Sequence, residues 1–240
     1  MHTPSSPARM LARRSFFRVA GAGAAVSALV LAGCGKDDDP DPVAGNPTLT
    51  LGNFVSSSTS ASDPNITVLN YAYLLEQIEA AFYDKVVTTP PSDLLPGELA
   101  YLTDLRDHEL IHREYLKYAL GTSAYDNTLS APLVFDFSTF TLTTRTGVWT
   151  AARQLEEIGV AAYNGAAKYL TSAEHLNALG KIVSVEARHA ALAREVLQPG
   201  TFADNIGTTG LDDAKSPAQV VALIQPFVPV VISTANLPTT

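Results

Sequence analysis

Cysteine is almost missing from this chain. Its 240 residues hold one, Cys34. A lone thiol makes no internal disulfide, so the fold rests on its core and not on covalent bridges. A basic surplus is missing as well. The 16 Lys+Arg stand against 24 Asp+Glu, for a formal net charge of −8. That excludes nucleic-acid binding, which needs a basic face. Long apolar runs are also scarce. The stretch from Val19 to Leu31 is short and rich in Gly and Ala, a poor membrane span. Hydrophobic residues still make up 46% of the chain, enough to bury a sizeable core.

Residues 1–33 lack acids altogether while carrying Arg9, Arg13, Arg14 and Arg18. A positive segment followed by an apolar one reads as a signal peptide. The pair Arg13-Arg14 before Ser15-Phe16-Phe17-Arg18 resembles a twin-arginine (Tat) export signal. The alternative is an ordinary Sec signal with two arginines. Leu31-Ala32-Gly33-Cys34 resembles a bacterial lipobox. That resemblance implies lipidation of Cys34, export to the periplasmic face and anchoring in the membrane; a plain small-residue cleavage site is the alternative. Cleavage before Cys34 leaves 12 Lys+Arg against 24 Asp+Glu, a net −12. Residues 34–62, with Lys36-Asp37-Asp38-Asp39-Pro40 and then Ser, Thr, Gly and Asn, read as a flexible linker.

Residues 63–200 carry helical signals. Asp63-Pro64 is a capping side chain followed by proline where no donor is needed. It opens a helix running to Val87, with Leu69, Ala72, Leu75, Phe82 and Val86 on its apolar face. A second helix is expected from Gly97 to Leu120, stopped by Gly121. A third is expected from Arg145 to Leu170. A fourth runs to Leu197, with Thr171 and Glu174 as a capping box. Residues 201–240 form a tail with one short helix, capped by Ser216 and ending near Phe227. The fold class is therefore all-α: a four-helix bundle plus a short C-terminal helix. The link between helices two and three, residues 121–144, is long for a compact domain. It can span the bundle end to end as a crossover. It contains a β-prone piece, Leu133-Val134-Phe135, and with the tail it is expected to cap the bundle.

Helices one and three share a pattern, Leu75-Glu76 to Tyr83 and Leu155-Glu156 to Tyr163. Helices two and four share another, Glu109-Leu110-Ile111-His112 and Glu186-Ala187-Arg188-His189. The matching glutamates lie 80 residues apart in the first pair and 77 in the second. The bundle thus reads as a duplicated helix pair. Residues three apart share a helix face, so each Glu and His can aim at one spot. Glu76 and Glu156 sit in apolar stripes, where a bare carboxylate is costly and four together repel. Cations resolve both problems. Glu76, Glu109, His112, Glu156, Glu186 and His189 supply ligands for two divalent ions, and oxygen-rich ligands suit iron or manganese. The alternative is a decayed site whose residues pair as internal salt bridges. Glu79 reads as a further ligand or near-ligand, or as core polar. Tyr83 and Tyr163 can bond ligand carboxylates or simply pack. His175 is expected to be exposed, and His108 to face away and act structurally.

These motifs resemble the ferritin-like superfamily over residues 63–228. They resemble most closely its exported bacterial members related to plant desiccation-related proteins, through Leu69-Asn70-Tyr71-Ala72 and Gly159-Val160-Ala161-Ala162-Tyr163-Asn164-Gly165-Ala166-Ala167. The resemblance implies Glu109 and Glu186 as bridges between the ions. Some relatives have an acid before each motif Glu to hold the histidine; here those positions are His108 and Val185. Three functions remain open. One is redox chemistry on peroxide or oxygen in stress protection. Another is a stress- or desiccation-associated structural or metal-binding module without turnover. The third is iron storage, for which a tethered chain with a long crossover is a poor shell subunit.

Overall fold

A computed structural model describes residues 48–52, 63–233 and 237–238. The expected signal peptide (1–33), the lipobox (31–34) and Cys34 lie outside the described residues. Five helices dominate: α1 Pro64–Thr88, α2 Glu98–Leu120, α3 Arg145–Ala166, α4 Ala173–Leu197 and α5 Pro217–Ile224. No helix among the described residues is long and apolar enough to cross a membrane.

Local chemistry sets the helix ends. The Asp63 side chain accepts from the Asn65 backbone N–H, with proline in the first turn behind it. Ser216 and Gln219 form a reciprocal capping box at α5. The start of α4 differs from expectation. Ser172, not Thr171, is its cap, accepting from His175 N–H. Thr171 is taken by a distant partner. The buried Asn65 accepts from the backbone N–H groups of Thr171 and Ser172, each at 2.9 Å, and donates to the Thr171 hydroxyl at 2.8 Å. This ties the start of α1 to the α3–α4 turn. α3 also ends earlier than expected, tightening into a 3-10 turn over Ala167–Tyr169.

Arg145 fixes the opposite end of the bundle. From the first position of α3, its guanidinium forks onto Glu98 at 2.6–2.9 Å and reaches the Val196 carbonyl at 2.9 Å. The starts of α2 and α3 and the end of α4 therefore meet. The start of α1 meets the end of α3 at the other pole, so α2 and α3 run parallel. That arrangement requires the crossover to travel the length of the bundle, as the sequence suggested. α2 packs on α1, α4 packs on α3, and α1 meets α3 between them.

The crossover forms no strand at Leu133-Val134-Phe135. Phe137 and Phe140 meet Phe82, toward the C-terminal end of α1, edge-on, and pack against Phe227 of the tail, Phe140 stacked on it and Phe137 tilted. Aromatic burial against the flank of α1 outweighs local β propensity. Part of the expected linker is ordered too. Residues Thr48–Leu49 form β1, paired in parallel with β2, Val231–Ile232. Leu49 and Leu51 are buried in the core.

Two glycines make opposite predictions. A Cβ on Gly165 would sit 1.8 Å from the Lys215 carbonyl oxygen, whereas one on Gly180 meets nothing within 4 Å. Gly165→Ala is expected to destabilise by about 1–3 kcal/mol, as overpacking does. Gly180→Ala should stabilise α4 by about 0.5–1 kcal/mol. Thermal unfolding of the two variants checks both signs.

Candidate metal centre

The four expected glutamates come from four helices and share one buried spot. Glu76, Glu109, Glu156 and Glu186 are each 0% exposed, and His112 and His189 are 8% and 4% exposed. Two groups form. Glu76, Glu109, His112 and Glu186 offer ligand atoms within 4.8 Å of one another, and so do Glu109, Glu156, Glu186 and His189. Glu109 and Glu186 belong to both. The distances repeat across the two halves. His112 Nδ1 lies 2.8 Å from Glu186, 3.3 Å from Glu109 and 3.4 Å from Glu76. His189 Nδ1 lies 2.8 Å from Glu109, 3.3 Å from Glu186 and 3.4 Å from Glu156.

The close imidazole–carboxylate contacts still leave several of these atoms without a well-formed hydrogen bond. Buried atoms without a hydrogen-bond partner include Glu76 Oε2, Glu109 Oε1, Glu156 Oε2, both Glu186 oxygens and His189 Nδ1. An unpartnered buried oxygen costs about 1–3 kcal/mol, more when charged. Carboxylate and imidazole atoms that converge from four helices offer ligands to a cation, and each group could hold a metal ion.

The tyrosines hold this arrangement crosswise. Tyr83 on α1 donates to Glu156 on α3 at 2.5 Å, and Tyr163 on α3 donates to Glu76 on α1. Burial pushes both phenols well above their usual range, with the neighbouring carboxylates adding to it. Each therefore keeps its proton and remains a donor. Glu79 belongs to neither ligand group, yet it is buried with Oε2 unpartnered. A Cβ on Gly159 would lie 2.8 Å from Glu79 Oε1. The glycine thus makes room on α3 for an acid from α1.

His108 corrects the sequence reading. Its Nδ1 lies 3.0 Å from His189 Nε2, with the rings stacked 5.2 Å apart and 7° from parallel. Burial and the nearby imidazoles hold His108 below the usual histidine range. A neutral His108 accepts from His189 Nε2–H, which leaves His189 Nδ1 for the centre. The available signal was its position, just before the motif Glu. His175 is half-buried at the α4 start and takes no part in the centre.

Residues 64–199 match the ferritin-like domain family, more than half of the chain. The chain belongs to the ferritin-like family. No curated protein matches it.

Without a cation, protons carry the compensating charge of the ferritin-like centre. Burial raises Glu156 from 4.5 to about 7. Burial alone would lower His112, but hydrogen bonds to Glu109, Glu186 and Glu76 outweigh it and push it from 6.5 up to about 12. Both groups bind protons more tightly folded than unfolded, so stability falls as pH rises through these windows. Metal-free protein is expected to melt at a lower temperature at pH 8 than at pH 5.5. Calorimetry across that range checks the slope, and a rising melting temperature would overturn the assignment.

Proposed function

We propose that the chain is an exported ferritin-like protein, anchored by a lipid on Cys34, that holds two iron or manganese ions and turns over peroxide or oxygen in stress protection. The observation that carries the metal reading is the two-fold cluster of buried ligand atoms, four carboxylates and two imidazoles, several of them without a hydrogen-bond partner, with Glu109 and Glu186 common to both groups. A donor set this rich in oxygen favours iron or manganese over a closed structural zinc site. Two ions of that kind, held by these residues, would supply a two-electron redox unit, suited to an oxidant that takes two electrons.

The surrounding residues serve such chemistry. Tyr83 and Tyr163 fix the rotamers of Glu156 and Glu76. His108 sets the tautomer of His189. Glu79, raised well above the usual carboxylate range by burial and then by Glu156 and Glu186, holds a proton inside the chamber. Reduction of peroxide to water consumes protons, and a buried acid beside the reacting centre is placed to give one. The export and anchoring part rests on Arg13-Arg14 and Cys34.

Protein loaded with Fe(II) or Mn(II) is expected to hold about two ions per chain, counted by elemental analysis against the donor set of two four-ligand groups. Less than half an equivalent would sink the reading. Glu109→Ala or Glu186→Ala should lose both ions, Glu76→Ala chiefly one, and His175→Ala neither. With metal bound, oxygen evolution from hydrogen peroxide marks a catalase-like route, and consumption only with an electron donor marks a peroxidase. Metal without turnover in either assay would instead leave a stress-associated binding module.

A further inference from the structure

The chain wraps α1 and α3 and leaves α2 and α4 open on one side. Of the 25 residues of α1, 18 are buried, and of the 22 of α3, 14. α2 buries 7 of 23 and α4 buries 7 of 25. The crossover packs on α1 through Phe82, and α5 packs on α3.

The open crests of α2 and α4 are opposite in charge. Along α2, Asp104, Asp107, Ile111, Glu114 and Tyr118 recur at steps of three and four, one helix stripe. All are exposed or half-exposed. That stripe holds acids and no base, since Arg113 and Lys117 line the groove against the crossover. Along α4, Asn177, Lys181, Ser184 and Arg188 form a second stripe, all exposed. It holds bases and no acid.

The charges also stand at matching levels. His108 Nδ1 lies 3.0 Å from His189 Nε2. Glu98, at the start of α2, meets Val196, at the end of α4, through Arg145. The two helices are therefore antiparallel neighbours. One turn beyond His108, Ile111 and Tyr115 share a groove with Ala178, Lys181 and Ile182. Asp107 is thus level with Arg188, and Glu114 with Lys181.

A two-fold axis along this groove, parallel to the helices, lays α2 of one copy over α4 of another without changing level. Asp107 then faces the second copy's Arg188, and Glu114 its Lys181, each contact made twice. Arg106 and Arg113 occupy only one oxygen each of Asp107 and Glu114, which leaves the other oxygen for the pairing. Ile111 and Tyr115, 51% and 44% exposed, flank the axis and lose water there. An axis across the helices would set α2 on α2, acid against acid. The face is about 35 Å long and about 20 Å wide. That is roughly 700 Å², near the ~800 Å² each partner of a stable complex buries.

We propose that the chain forms a two-fold dimer through this face, the acidic stripe of each α2 lying on the basic stripe of the other copy's α4. The dimer covers His108, the exposed ring behind His189, and so closes that side of the candidate metal centre to water.

Sedimentation equilibrium of the full chain, in an excess of density-matched detergent micelles, reads the dimer directly and needs neither metal nor turnover. Wild type is expected to dimerise. Asp107→Lys with Glu114→Lys makes every facing position basic, and Lys181→Glu with Arg188→Glu makes every one acidic. Each double variant alone should dimerise about tenfold or more weakly. An equal mixture of the two restores opposite charges at each contact and should dimerise like wild type. A variant that merely misfolds would not be rescued in this way. Monomeric wild type, double variants that dimerise as wild type does, or a mixture that fails to recover the dimer would each overturn the proposal.

Discussion

Charge compensation in a dry interior governs this molecule. Four carboxylates at 0% exposure repel one another and have lost their water. Something positive must sit among them: two protonated imidazoles when metal is absent, cations when it is present. The helices are arranged to make that unavoidable. Asn65 pins one pole and Arg145 the other, so the ligand-bearing turns of α1, α2, α3 and α4 are held at one level. A bundle free to slide could separate its acids; this one cannot.

The duplicated pattern explains the economy of the centre. One helix of each pair contributes a glutamate and a tyrosine seven residues on, and each tyrosine serves the other pair's glutamate. Neither half can complete its own carboxylate. The same holds for the shared Glu109 and Glu186, each placed beside the histidine of the opposite motif at 2.8 Å. Folding of the two pairs against each other and assembly of the centre are thus one event.

Much of this was legible in the sequence because the signals are local. Caps at Asp63 and Ser216, the helical apolar stripes, and Glu-x-x-His on alternate helices each span a turn or two. What escaped depended on distant partners. Thr171 looked like a cap until Asn65, 106 residues away, claimed it. Leu133-Val134-Phe135 looked like a strand, but aromatic contacts from Phe82 and Phe227 dictate the crossover path. Leu49 and Leu51 sat in polar surroundings, and only pairing with Val231–Ile232 reveals them as core. His108 was sent to the wrong face because helical offset ignores how far an imidazole reaches across to a neighbouring helix.

The Glu79–Gly159 pair breaks the pseudo-symmetry at one point. The two residues occupy corresponding offsets in the duplicated helices, yet only one carries a side chain, and its oxygen fills the volume the other vacates. Space here is zero-sum. A repeat that gains bulk at this offset must be answered by loss in its twin, so the halves can diverge only by exchange. Whatever distinguishes the two ligand groups chemically is written into that trade, as space on α3 lent to α1.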